Sequence, residues 1–487
     1  MSAPPAGTTQ WRIIPALDKD PRLVALVQGL RGRVGLVALM AALSAALGLF
    51  NVDLRVAPLA TLTAYAGPLR RYLIPLATLL LLYANGFWVD PGQVRAVIGQ
   101  EGLSNGLDAA WLVRGALLAV FAASSCLIAA WPRIAAVPFL GRPTSLLVAL
   151  FLILVVAAQS PIAAGMPRAI LWSLVLAFQP YLWFLAYALV DRGGPKRRPV
   201  WQHLGIFHPF WGSSATPFGK GLAYLERYDA KTPEELAITQ LKGLKLACWL
   251  LLLAACLSIF NHVTYDLLRL PHFNQVFLDY VGGVRDPRYL GWLSLVTFFA
   301  GDVLDMTLWG GAIIVCARMA GFRLLRNTYK PLEGRTLAEF WNRYYFFYKE
   351  LLVDHFFYPV FIRYFRGHRR LRIFFATFMA ACVGNLLFHF IRDIHFVAEL
   401  GWARALSGEA SHALYTFLLA IGVGISQIRA RPRTARAGWL RGRVLPCLWI
   451  TTFFCVLHVF DAPTDRLHSI GQRAQFLSYI LGIDAWT

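Results

Sequence analysis

Ten long apolar runs dominate this chain and restrict what it can fold into. They lie at about 33–50, 72–88, 109–131, 144–163, 169–190, 240–260, 289–317, 373–391, 411–428 and 444–460. A bilayer core about 30 Å thick is crossed by roughly 20 apolar residues of α-helix. The pattern predicts an all-α polytopic membrane protein with about ten transmembrane helices, organised as one membrane domain over 1–487 and partnered by the lipid bilayer. Only 15% of residues are charged and 57% are hydrophobic, against about 25% charged in a soluble domain. The deficit runs the length of the chain, which excludes a soluble enzyme on a single anchor. Trp88, Trp131 and Tyr289 stand at run ends, as interfacial anchors do. Residues 51–71 admit a loop, a short re-entrant segment or part of a helix. Residues 1–22 contain Pro4, Pro5, Asp18 and Asp20 and no apolar core, so the first run is expected to stay as a membrane helix and not to be cleaved as a signal peptide.

The basic excess, 47 Lys+Arg against 26 Asp+Glu, sits in short loops between apolar runs. That placement follows the positive-inside rule and argues against nucleic acid as a partner. Arginine-rich loops after Asp191 and at 318–335, 363–372 and 429–443 are expected to be cytoplasmic; the near-neutral loops 262–288 and 392–410 face the other side. An aromatic segment of about 25 residues separates the basic loops 318–335 and 363–372. With both ends on one side it cannot cross once, so it is re-entrant, interfacial or buried among helices. The seven cysteines form no CxxC pair and read as small buried hydrophobes, with neither a metal site nor a disulfide framework indicated.

The longest polar connection is 191–239. Its stretch 208–221, HPFWGSSATPFGKG, reads as irregular chain. Thr232, Pro233 and Glu235 then supply an N-cap, a first-turn proline and a capping carboxylate for a helix running into the next span. Polar residues within the apolar runs are candidates for function. Asp302 and Asp305 share a helix face by their spacing of three. Asn385, His389 and Asp393 fall at i, i+4 and i+8 and align amide, imidazole and carboxylate; imidazole is the group whose pKa suits proton transfer near neutrality. Arg114 is placed to snorkel or pair, His262 is a border residue, and His458 reads as interfacial.

Residues 317–341, ARMAGFRLLRNTYKPLEGRTLAEFW, carry Gly321, Phe322, Asn327, Pro331, Thr336, Leu337, Glu339, Phe340 and Trp341. This order resembles the core of the membrane-bound O-acyltransferase (MBOAT) family, closest to its bacterial polysaccharide-acylating members. The likeness continues through Phe340-Trp341-Asn342-Arg343-Tyr344-Tyr345, through Asp354 before His355-Phe356-Phe357-Tyr358-Pro359, and through Asn385-Leu386-Leu387-Phe388-His389. Asp305 falls on the family's upstream aspartate. The resemblance is close over about 85 residues and looser back to 205–260. Two positions depart from it: Tyr345 stands where the family has His or Asn, and Phe390 where it has Gly.

The resemblance implies an MBOAT-like core at 205–400 with its active-site region at 305–395, and an O-acyltransferase of the bacterial inner (cell) membrane. His389 would be the catalytic base and Tyr345 would donate to the oxyanion or orient the acceptor. Asn385 or Asp393 would hold the His389 tautomer. Arg343 and Trp341 would brace the re-entrant segment or bind the donor's polar part, with Asp354 and Asp305 structural. The implied partners are an acyl thioester donor (acyl-CoA or an acyl carrier) as co-substrate, a hydroxyl acceptor such as an envelope polysaccharide, and accessory envelope proteins. No metal and no resident cofactor are required. A transporter, or a family member that has lost catalysis and serves as a scaffold, are the alternatives.

Overall fold

The computed structural model describes residues 13–85, 89–103, 106, 108–138, 140–429, 438–461 and 468–483. Trp88, Arg431, Arg433 and Arg436 lie outside these residues. The named elements are all helical. Among the described residues, eight helices are long and apolar enough to cross a membrane, and the chain is an all-α, multi-pass membrane protein. They are α1 (Leu30–Gly48), α3 (Ala109–Ile134), α5 (Met166–Arg192), α6 (Pro233–Leu267), α7 (Arg288–Met319), α11 (Arg369–Arg392), α12 (His395–Ile428) and α13 (Leu440–Asp461).

Each of these helices carries one of the ten apolar runs, the first of which reaches two residues past Gly48. The other two runs form shorter helices. The run at 72–88 falls on α2 (Arg70–Asn85), 16 residues with Pro75 inside it. The run at 144–163 is α4 (Pro143–Gln159), 17 residues bounded by Pro143 and Ser160. Residues 51–71 hold a short half-buried helix, Ala57–Ala64, far below spanning length.

The aromatic segment between the basic loops does not form one crossing. It breaks into α8 (Leu337–Tyr344), α9 (Phe346–Leu352), a π turn over Val353–Phe357 and α10 (Tyr358–Arg363). The break is Tyr345, whose φ of −138° and ψ of 79° interrupt the helix. Tyr345 packs against all three hydrophobic clusters of the protein. α8 and α9 therefore lie where the clusters meet, among other helices, whereas α10 exposes Tyr358 and Ile362.

Local sequence accounts for the boundaries. Thr232 caps α6 by accepting from the Glu235 amide at 3.1 Å, and Pro233 starts the helix. α12 bends at Gly401, whose φ of 76° an L-residue would resist. The connection 205–221 is irregular, as its composition predicts, but it is not an outer loop. His208, Trp211, Ser213 and Thr216 are buried. Ser213 Oγ accepts from the Phe218 amide at 3.3 Å and donates to the Thr216 carbonyl at 2.9 Å, and the Phe210 amide donates to Thr78 Oγ1 at 3.0 Å. Irregular backbone at membrane depth is tolerated when protein satisfies it in this way.

Two expectations are corrected. Trp131 is 2% exposed and packs in the core, not at the interface. His458 is also buried; its Nδ1 donates to the Phe454 carbonyl at 2.8 Å. Tyr289 is exposed, Arg114 lies over the Trp111 ring on the outer surface, and His262 pairs with Asp266 in the open.

Gly310 lets Asn327 close against α7. Asn327 accepts from the Phe346 amide through its carbonyl at 2.9 Å and from the Phe347 amide through Oδ1 at 3.3 Å. A Cβ on Gly310 would sit 2.5 Å from Asn327 Nδ2. Gly310→Ala is expected to cost about 1–3 kcal/mol through overpacking. A fall in the melting temperature of the detergent-purified protein checks this; an unchanged value would show that Asn327 can move aside freely.

Candidate functional site

A cavity of about 650 Å³ lies where α5, α7, α8, α9, α11, α12 and α13 converge with the 214–216 strip of the buried connection. His389 and Tyr345 both line it. His389 is half-buried and projects from α11 one turn after Asn385. Tyr345 enters at the helix break, its hydroxyl 3.4 Å from Ser214 Oγ and its ring against Phe218 and Trp309. Burial holds the Tyr345 phenol above its ordinary pKa, outweighing its hydrogen bonds to Ser214 and Thr216. It therefore stays protonated near neutrality and acts as a donor, not a base.

Of the other residues singled out in the sequence, Asn385, Asp393 and Trp341 line the same cavity. Asn385 Oδ1 accepts from the Tyr348 hydroxyl at 2.6 Å. Asp393 sits past the end of its helix and takes Arg392 in a two-pronged pair at 2.9 and 2.7 Å. Trp341 packs on Tyr344, Tyr348 and Phe454. Phe390 stacks on Trp402.

Three of the supporting residues lie elsewhere. Arg343 bonds Glu339 at 3.0 Å within α8, and its carbonyl accepts from the Tyr329 amide at 2.8 Å, so it braces the preceding loop. Asp354 accepts from Tyr187 at 2.8 Å and pairs with Lys220 at 2.7 Å. Lys220 also pairs with Glu350 at 2.7 Å. Burial alone would lower the Lys220 ammonium; its bonds to Asp354 and Glu350 outweigh this and raise it. This cluster ties the irregular connection to α9. Asp305 lines a different chamber of about 1000 Å³, with Trp309 as a residue common to both.

Asp302 and Asp305 share a helix face, as a spacing of three places them about 60° apart, and both line a smaller chamber of about 480 Å³. Asp302 lines the His389 cavity, accepts from the Tyr344 hydroxyl, and lies 3.6 Å from His458 Nε2.

Packing also brings in groups from beyond the 305–395 region. The His412 ring lies against His389, their centroids 4.3 Å apart at 45°. His412 Nδ1 is 2.7 Å from Asp461 Oδ1, and Asp461 lines the cavity. His412 Nε2 has no hydrogen-bond partner among the described residues. In the neutral ring the Nδ1–H donates to the Asp461 carboxylate, and Nε2 is the unprotonated nitrogen. His412 and Asp461 are 49 residues apart on α12 and α13. Each stands at the end of an apolar run, where a polar residue is ordinary, and no spacing signal connects them.

The cavity thus joins the His389 imidazole, backed by the His412 ring, with a buried phenol and several carboxylates. Such a set can take a proton from a weak nucleophile and stabilise a developing oxyanion. No protein-family model and no curated protein matches the chain.

Proposed function

We propose that the chain is a membrane-embedded acyltransferase of the MBOAT type, moving an acyl group from a thioester to a hydroxyl acceptor. The observation that carries this reading is that His389 and Tyr345, the two positions given catalytic roles by the resemblance, line one cavity. The acceptor O–H gives its proton to His389 as the oxygen attacks the thioester carbonyl carbon. The Tyr345 hydroxyl donates to the oxyanion of the tetrahedral intermediate. Collapse breaks the C–S bond, and the thiolate leaves with the proton held by His389. Asp461 orients His412, and His412 positions His389 by ring contact. The donor is an acyl-CoA or acylated carrier from the side of the basic loops, the acceptor an envelope polysaccharide from the other, and the setting the bacterial inner membrane.

The reading is tested by acceptor-dependent thiol release from an acyl thioester by the purified protein in nanodiscs. Release that persists at the wild-type rate in His389→Ala removes the proposal. Asp461→Asn keeps the shape but lets His412 turn or change tautomer. It is expected to lower turnover by about 10²-fold through misplacement, with unchanged melting temperature. Equal turnover in that variant would confine His412 and Asp461 to packing.

A further inference from the structure

A further cavity, about 780 Å³, opens on the side of the protein between α4, the π turn Val353–Phe357, α10 and α11. Its composition is split. Arg142 caps the start of α4, Arg363 ends α10 and Arg366 lies in the turn beyond it, so the cations come from helix ends, while Val148, Leu152, Val360 and Leu387 form apolar walls from within helices. From Arg142 to Leu152 is ten residues of helix, about 15 Å along α4. The groove therefore carries cations at its mouth and descends roughly half the thickness of a bilayer core.

The cations are unopposed. Every residue of the groove comes from 109–190 or 355–392, and neither stretch contains an aspartate or glutamate. Among the described residues, none of the three arginines pairs with a carboxylate; Arg366 bonds only the Ile362 carbonyl, at 3.0 Å. Guanidinium groups gathered over an apolar groove have an external anion as their natural partner. His355 Nδ1 lies 2.7 Å from Thr144 Oγ1, which ties the π turn to the first turn of α4.

The route of entry decides the kind of anion. Beside the groove, α4 exposes Leu150 at 40%, Ile153 at 63% and Val156 at 60%, the face of a helix turned to hydrocarbon. An occupant that fills the apolar walls arrives along that face, from the bilayer. We infer that this groove binds an anionic phospholipid, its phosphate on Arg142, Arg363 and Arg366 and an acyl chain along Val148 and Leu152. The positive-inside rule explains why arginines gather at this end of the helices. It does not explain why three converge on one groove while Arg369 and Arg370 of the same loop stay off it. Basic pockets between membrane helices favour anionic headgroups.

The test titrates fluorescent phosphatidylglycerol, and matched fluorescent phosphatidylcholine, into the detergent-purified full chain. Phosphatidylglycerol is expected to bind at least about tenfold more tightly. The triple variant Arg142→Gln/Arg363→Gln/Arg366→Gln should lose that preference, and Arg369→Gln/Arg370→Gln should keep it. Leu152→Trp fills the apolar wall without touching the charges and should weaken binding of both lipids. Equal binding of the two lipids by the wild type overturns the inference, as does a preference that survives the triple variant or is abolished equally in the Arg369/Arg370 pair. Displacement of the bound lipid by millimolar inorganic phosphate or coenzyme A would reassign the groove to a soluble anion. If the triple variant does not fold, the wild-type comparison, the displacement experiment and Leu152→Trp still decide.

Discussion

His389→Ala should reduce acyl transfer by about 10²–10⁴-fold, the range that a positioned general base contributes. The imidazole is half-buried and faces a cavity of about 650 Å³, so its removal enlarges existing space and opens no void in packed core. Expression and melting temperature should therefore stay near wild type, which separates a chemical defect from a folding defect. Tyr345→Phe removes the proposed oxyanion donor and keeps the ring that packs against all three clusters. Its effect should fall on turnover more than on apparent thioester affinity, because the donated bond strengthens only as charge develops. A His389→Ala protein that turns over normally would leave a multi-pass membrane fold with a polar cavity and no assigned chemistry.

The largest effect on stability is expected from Lys220→Met. The Lys220 ammonium holds Glu350 and Asp354, both at 2.7 Å, from a connection with little helix of its own. The three side chains are 14%, 21% and 26% exposed. Removing it leaves the partly buried Asp354 without its cation and Glu350 with Lys349 alone, a loss of about 3 kcal/mol. The melting temperature in detergent should drop sharply. The triple variant Lys220→Met/Glu350→Gln/Asp354→Asn should recover much of the loss, because the cost lies in the unpaired charges and not in the missing methylenes. A triple variant no more stable than Lys220→Met would place the cost in packing instead. Burial alone would raise Glu350, but its hydrogen bonds to Lys220 and Lys349 outweigh that and hold its carboxyl below the ordinary range. A depressed folded value means this contribution is complete above the unfolded value of about 4.3. It is lost as pH falls through the lower folded value.

Much of the fold was readable along the chain because its signals are local. Eight apolar runs became helices of spanning length, since a window of apolar residues needs no knowledge of neighbours to be recognised. Thr232 and Pro233 marked a helix start for the same reason. The two basic loops flanking 336–362 ruled out a single crossing, and the chain breaks there at Tyr345. Local signals failed where burial depends on what packs alongside. Trp131 and His458 look interfacial by position and are core residues by contact. The polar stretch 208–221 reads as irregular chain, and nothing in it foretells that it is buried, with its own Ser213 and Thr216 satisfying its backbone.

The candidate site divides along the same line. His389, Asn385 and Tyr345 were picked out in order along the sequence, and they share a cavity. His412 and Asp461 were not, because each is an unremarkable end of an apolar run until α12 and α13 pack together. The sequence alone determined that this chain must hide its backbone in helices within a bilayer, because hydrocarbon leaves unpaired amides and carbonyls no partner. Tertiary structure alone decided which of its few polar side chains meet. That depends on the rotation of each helix about its own axis, set by side-chain packing across helices far apart in the chain.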